Sequence, residues 1–464
     1  MASLELMTAA EQTALIRARK ASAREVVVAA IKRIEALEPR INAFLTVDRE
    51  GALKAADAAD EAMGRGAPAG LLHGVPVCLK DNIKTRGLRT TAGSRLLEHY
   101  VPDEDATLVA RLKAAGAIIV GKTHLSEFAR GPWVFGDVHN PWDLKRSPGG
   151  SSSGTGAAVA ASMTPVGIGH DTGGSGRIPA SWSGVIGLLA TWGRVSRHGV
   201  IPLAWSMDHA TLCSRTVEDA ALLLAAIGGY DPRDPTTAKR EVPRFADHLG
   251  GGVRGLRIGI SQQWFFQDLN PEVERGVRAA LRTLEGLGAH VTEVSIPLIS
   301  MCIEIGDAIV WGEASAYHEE NMDKHPEKYG PELLRLLRGG RVITATGYIK
   351  AQRLRRTLRQ QFLDVLNTVD VLISPTTRTV APLLSSATPD LDADPFAGVF
   401  ANAGLTIPFN VVRLPAMSVP CGFSSDGLPI GMQIAGRPFD EAALLRVAAA
   451  YQQHTEWHKR RPPL

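Results

Sequence analysis

Between Ser147 and Arg177 the chain reads SPGGSSSGTGAAVAASMTPVGIGHDTGGSGR, two clusters of glycine and serine on either side of a compact apolar run. A flexible tether would carry glycine and serine throughout. Here AAVAASMTPVGIG separates the clusters, so the small polar residues fall at the ends of core elements. Glycine beside serine opens backbone conformations closed to other residues and lets a ligand approach the main chain. Consecutive N–H groups in such a loop are the raw material of an oxyanion hole. The stretch calls for a fold that holds two tight loops on buried elements, and it nominates a serine as nucleophile.

Three nucleophile templates can be set against it. Gly150, Ser152 and Gly154 satisfy G-x-S-x-G, but the nucleophile elbow requires an apolar strand directly before it, and DLKRSP stands there. No serine lies three residues before a lysine anywhere in the chain, which removes the penicillin-binding type of Ser/Lys site. A Ser/His/Asp triad has 13 histidines to draw on, and sequence does not set them in space. His170, beside Asp171 and shortly before Ser175, is the candidate; its plainer reading is a hydrogen-bonding residue at a strand end.

A second motif, GAIIVGKT from Gly116 to Thr123, has the letters of a nucleotide-binding P-loop. Its middle argues otherwise. Ile118, Ile119 and Val120 are β-branched and favour extended backbone, so the segment reads as a short buried strand with glycines at its ends, following the helical pattern DATLVARLKAAG.

Lys and Arg total 51 against 48 Asp and Glu, a net charge of +3 over 464 residues, which leaves no basic footprint for nucleic acid. The compact basic run HKRRPPL at the end reads as a solvated, frayed tail. Cys78, Cys213, Cys302 and Cys421 are far apart, without C-x-x-C pairing or metal-type spacing, so a reducing, cytoplasmic setting is expected. No signal-peptide order and no membrane-length apolar run is seen.

Capping-box patterns, Thr8 with Glu11 and Ser22 with Glu25, predict a helical N-terminal segment over about 1–65. Strands and helices then alternate through LLHGVPVCLKDNI, AIIVGK, AAVAASM, VGIGH and LRIGISQ, which predicts an α/β/α sandwich with a central mixed sheet flanked by helices. PELLRLLRGG and YIKAQRLRRTLRQQFLDVL predict a helical insertion over about 300–365. DVLISP, AMSVPCGF and GMQIAG are closing strands. One domain spans 1–464, with a catalytic core about 70–230 and C-terminal core strands and helix about 368–457.

PGGSSSGTGAAVAA followed by GHDTGGSGRIPAS resembles the signature of the amidase signature family of serine hydrolases. GVPVCLKDN, HNPWD, GRVSRHGVIPLAWSMDHA, LTIPFNVVRLPAMSVPCGF and GLPIGMQIAGRPFDEAALLRVA extend the resemblance over nearly the whole chain. It implies a Ser/cis-Ser/Lys triad: Ser175 as nucleophile, Ser151 as bridging serine, Lys80 as base. It also implies an oxyanion hole from the backbone N–H groups of Thr172, Gly173, Gly174 and Ser175, braced by Asp171 and Arg177. A neutral, desolvated lysine can take the Ser175 proton through the Ser151 hydroxyl. His170, Ser153 and Thr155 stand where the family more often has Thr, Gly and Ser, and ATWGR replaces KPTYGR, changes that alter the walls near the triad.

By position, Ala129, Arg130, Gly131, Trp133 and Phe135 are expected to line the acyl pocket, although core packing explains both aromatics equally well. The resemblance implies an acyl-enzyme amidase, also able to cleave esters and carbamates, with no metal and no cofactor. The partners expected are a small-molecule amide or carbamate substrate and a second copy of the chain in a homodimer, with no nucleic acid and no membrane span. The alternative is the A subunit of a tRNA-dependent amidotransferase, its triad acting on glutamine.

Overall fold

The computed structural model describes residues 3–386 and 403–464, so part of the C-terminal core expected over 368–457 lies outside the described residues. Both capping boxes form. Thr8 Oγ1 accepts the Glu11 N–H at 3.1 Å and Glu11 returns a bond to the Thr8 N–H; Ser22 and Glu25 do the same. Each cap contributes about 1 kcal/mol to starting its helix, Ala9–Arg17 and Ala23–Ile41.

The strands are β1 (Phe44–Val47), β2 (Pro76–Lys80), β3 (Ile118–Thr123), β4 (Val166–Asp171), β5 (Ile186–Leu189), β6 (His209–Ser214), β7 (Arg257–Ile260), β8 (His290–Glu293), β9 (Val371–Pro375), β10 (Ala416–Phe423) and β11 (Pro429–Ala435). They form one mixed sheet in the order β1-β3-β2-β4-β6-β5-β10-β11-β9-β7-β8. Strands β3, β2 and β4 are parallel neighbours, as are β9, β7 and β8; the other pairings are antiparallel.

Side chains alternate across a strand, and the central strands are apolar on both faces. Val77 and Leu79 enter a core with the helices Thr107–Ala114, Val217–Ile227, Pro271–Gly286 and Glu441–Gln453. Cys78, between them, enters the opposite core with Ile31, Val159 and Ala180 of the helices Ala23–Ile41, Ser153–Ala160 and Arg177–Ser183. The expected α/β/α sandwich follows from this two-sided burial. The helical insertion forms as Cys302–Lys324, Pro331–Gly340 and Ala345–Thr368, and it builds a third core with Ile407, Phe409 and Val411.

Residues 118–123 are a sheet strand, not a phosphate loop. Gly121 lies inside it rather than ending it, because strands on both sides pair with β3 and a Cβ there would stand 2.4 Å from the Thr46 carbonyl oxygen. The C-terminal tail is not frayed either: Arg215 donates to the carbonyls of His458 and Arg460, and Arg460 lies over the Phe423 ring. The four cysteines are free and buried. Among the described residues no helix is long and apolar enough to cross a membrane.

Candidate active site

In an open α/β sheet, ligands bind outside the carboxyl ends of parallel strands. β2 and β4 are such a pair, in register at Val77–Val166 and Leu79–Ile168, and they end at Lys80 and Asp171. Lys80 is completely buried, on the face it shares with Cys78. Its Nζ donates to Ser151 Oγ at 2.7 Å and to the His170 carbonyl at 3.2 Å. Burial pushes its ammonium down to about 7, against the opposing pull of the Asp171 and Asp208 carboxylates. Near neutral pH the amine therefore holds a lone pair for a large fraction of the time.

Ser151 lies at a cis peptide bond with Gly150, in the loop that opens the helix Ser153–Ala160. The loop is tied on two sides: Ser151 O accepts the Ser126 N–H at 3.3 Å, and the Ser152 N–H donates to Ser175 O at 2.9 Å. The second bond joins the two glycine–serine clusters. Lys80 and Ser151 are buried, whereas Ser175, between β4 and the helix Arg177–Ser183, is partly exposed. A buried amine thus meets a buried hydroxyl, whose loop is bonded to the one that bears the second, partly exposed serine.

Asp171 organises the Ser175 loop. Its carboxylate accepts the N–H of Gly174 at 2.7 Å and of Gly176 at 3.1 Å, and Arg177 donates to it from Nε at 3.0 Å and from Nη2 at 3.1 Å. Burial alone would raise this carboxyl, but the Arg177 guanidinium, Asn410 and the loop N–H groups hold it well below the usual carboxylate range. Arg177, equally buried, spends its remaining donors on Thr406 O, Gln433 Oε1 and Asn410 Oδ1.

This corrects one expectation. The Gly174 N–H already donates to Asp171, so it is not offered to a substrate. Among the described residues, the N–H groups of Thr172, Gly173 and Ser175 have no protein acceptor. Gly174 itself, at φ +129, has no room for a side chain: a Cβ would stand 2.0 Å from Thr406 Oγ1.

His170 contributes its backbone to the site and turns its ring away. The carbonyl accepts from Lys80 and, at 2.9 Å, from Ser152 Oγ. The ring follows Val166 and Ile168 to the other face of the sheet, where its Nε2 lies 3.4 Å from Asp208 Oδ1 without a directed hydrogen bond. The His170 ring is therefore not turned toward Ser175 as the base of a triad would be.

Of the residues expected to line a pocket, Ala129, Arg130 and Gly131 follow Ser126, which is bonded to the Ser151 loop. The Gly131 N–H closes a tight turn on Glu127 O at 2.7 Å, and Arg130 lies over the Trp311 ring. Trp133 packs on the core of the N-terminal helices and donates from Nε1 to Ser153 Oγ, two residues beyond Ser151, at 3.0 Å. Phe135 is partly exposed, and its carbonyl accepts from Asn42. Sequence reasoning missed Asp208, Thr406, Asn410 and Gln433. All four support the Ser175 loop from positions where no spacing rule reaches, although all four lie in motifs that carried the resemblance.

Comparison with known proteins bears on this geometry. The family model described as Amidase matches residues 25–445. The chain is 40% identical to the A subunit of the glutamyl-tRNA(Gln) amidotransferase of Carboxydothermus hydrogenoformans, over 99% of this chain and 100% of that protein. The crystal structure of the corresponding subunit from Thermotoga maritima superposes with a TM-score of 0.84 at 34% identity, covering 98% of this chain and 96% of that one. The structure of 6-aminohexanoate cyclic dimer hydrolase superposes with a TM-score of 0.91 at 30% identity, covering 99% of each chain. The expected partners, a small-molecule amide or carbamate, no nucleic acid and a second copy, are overturned: the curated relatives are subunits of an enzyme named for glutamyl-tRNA(Gln).

Proposed function

Because the chain belongs to the amidase signature family, we propose that it is the amide-cleaving A subunit of a tRNA-dependent amidotransferase, hydrolysing the side-chain amide of glutamine at Ser175 and yielding ammonia to a partner protein. The observation that carries the chemistry is the buried Lys80 amine at 2.7 Å from Ser151 Oγ, beside the loop that bears Ser175. The amidotransferase assignment rests on the 40–42% identity to curated A subunits along practically the whole chain.

In this reading Ser175 Oγ attacks the amide carbon while its proton passes to Ser151 Oγ, whose own proton passes to Lys80 Nζ. The N–H groups of Thr172, Gly173 and Ser175 receive the oxyanion. As the C–N bond breaks, the proton on Lys80 returns through Ser151 to the leaving nitrogen, and ammonia departs. Water then attacks the acyl carbon along the same relay and frees Ser175 with the carboxylic acid. Asp171 and Arg177 hold the loop throughout and exchange no proton.

Ammonia release from glutamine, measured on the chain alone and after reconstitution with the other amidotransferase subunits and glutamyl-tRNA(Gln), tests the proposal. The expected result is slow glutaminase activity alone, a rise on reconstitution, and none from Ser175→Ala. Rapid turnover of simple aryl or aliphatic amides with glutamine ignored, in both preparations, would sink the amidotransferase assignment.

A further inference from the structure

The Ser175 loop is anchored at its start by a second carboxylate as well as by Asp171. Thr172, the first residue after β4, donates from Oγ1 to Asp208 Oδ1 at 2.7 Å. Asp208 is fixed in turn by the N–H of Leu203 at 3.0 Å and of Ala204 at 3.1 Å, and it is buried. The ring of His170 also faces it, with Nε2 at 3.4 Å from the oxygen that Thr172 uses, and the Arg197 guanidinium lies near enough to feel its charge. Both ring nitrogens are buried and without a hydrogen-bond partner among the described residues. A histidine is a demanding occupant for such a place, since an unpaired buried polar atom costs stability. Nothing in the proton relay uses this ring, because it lies on the opposite face of the sheet from Lys80.

We propose that His170 is a positioning residue: its ring walls in the Asp208 carboxylate, keeps it on the Thr172 hydroxyl, and so sets the Thr172, Gly173 and Ser175 N–H groups where the oxyanion forms. The proposal rests on Ser175-centred hydrolysis but not on which amide is cleaved. Without the ring, a void opens beside Asp208, the carboxylate is held on that side only by the Leu203 and Ala204 N–H groups and shifts toward the void, and the Thr172 hydroxyl that fixes the start of the loop shifts with it. Oxyanion donors work only within a narrow distance range, and deleting one outright lowers kcat about 100- to 1000-fold. Displacement through two links is milder, so kcat should fall about tenfold with KM changed less than about twofold, as befits an interaction made in the transition state.

The test compares His170→Ala, His170→Gln, Thr172→Val and the double variant His170→Ala/Thr172→Val in steady-state amide hydrolysis, with unfolding midpoints taken in parallel and Ser175→Ala as the inactive control. His170→Ala and Thr172→Val should each lose about tenfold in kcat. The double variant should lose no more than either alone, because both cut one chain of contacts. His170→Gln, which restores bulk and a terminal polar group, should recover to within about threefold. Three outcomes overturn the proposal: kcat unchanged in His170→Ala, an effect confined to KM, or losses that multiply in the double variant. If His170→Ala does not fold, the double variant is built on His170→Gln, and its coupling to Thr172→Val decides. Activity surviving in Ser175→Ala would instead refute the hydrolytic reading itself.

Discussion

Replacing Lys80 with methionine should abolish turnover and make the protein more stable near neutral pH. In the fold this amine titrates at about 7 against an ordinary 10.5, so its charged form has lost about 5 kcal/mol relative to the unfolded chain. The sign follows from proton binding. Between pH 7 and 10.5 the unfolded lysine is protonated and the folded one is not, so wild-type stability declines as pH falls through that window and levels off below it. Methionine fills a similar volume and carries no such penalty, but it forfeits the bonds to Ser151 Oγ and the His170 carbonyl, together about 1–3 kcal/mol. Lys80→Met should then be about 2–4 kcal/mol more stable than wild type at pH 7, and less stable by about 1–3 kcal/mol at pH 10.5. Urea unfolding of both proteins across this range measures the difference. A variant less stable than wild type at pH 7, or a difference that does not change with pH, would refute the claim that Lys80 is buried as a neutral amine.

The same titration should govern rate: kcat/KM is expected to fall about tenfold per pH unit below about 7 and to reach a plateau above it, and a limb near 10 would be incompatible with Lys80 as the base. Arg177→Met leaves the Asp171 carboxylate buried without its cation, so chemical denaturation should show a loss of about 3–5 kcal/mol together with loss of activity, and a stability within about 1 kcal/mol of wild type, on the order of an exposed ion pair, would contradict the brace. Gly174→Ala drives a methyl into Thr406 in a left-handed backbone, so a protein that still folds by circular dichroism should lose at least about 100-fold in turnover; activity within about fivefold of wild type would show that the loop tolerates displacement.

The elements that could be read from sequence are those whose signals are local. The capping boxes at Thr8 and Ser22, the β-branched run at Ile118–Val120 and the helical periodicity of YIKAQRLRRTLRQQFLDVL each act over a few residues, and each forms as expected. Lys80 was legible as buried from the apolar run before it, and the resemblance placed it with Ser151. What escaped depends on distant contact. The loss of the Gly174 N–H to Asp171 follows from loop geometry, and Arg177 meets Thr406, Asn410 and Gln433 across more than 200 residues. Lys122 is completely buried, bonded to Ile83 O and Thr90 Oγ1 with Asp81 at 3.4 Å, a set of partners scattered through the loop after β2. The tail was misread because its basic residues gave no sign of the carbonyl acceptors and the aromatic ring that its backbone and Arg460 supply and find.

The hairpin of β10 and β11 is the last pair of strands to be synthesised, yet it stands in the middle of the sheet, between β5 and β9. Until it is in place, the amino-terminal strands and the β9-β7-β8 edge share no ladder, and Arg177 lacks Gln433, which β11 supplies, beside the Thr406 and Asn410 acceptors that come just before the hairpin. The brace of the Ser175 loop is therefore complete only once the chain has been made as far as Gln433. A ribosome-bound or truncated product that stops before Thr406 carries Lys80, Ser151 and Ser175 but lacks Thr406, Asn410 and Gln433, through which Arg177 braces the Ser175 loop.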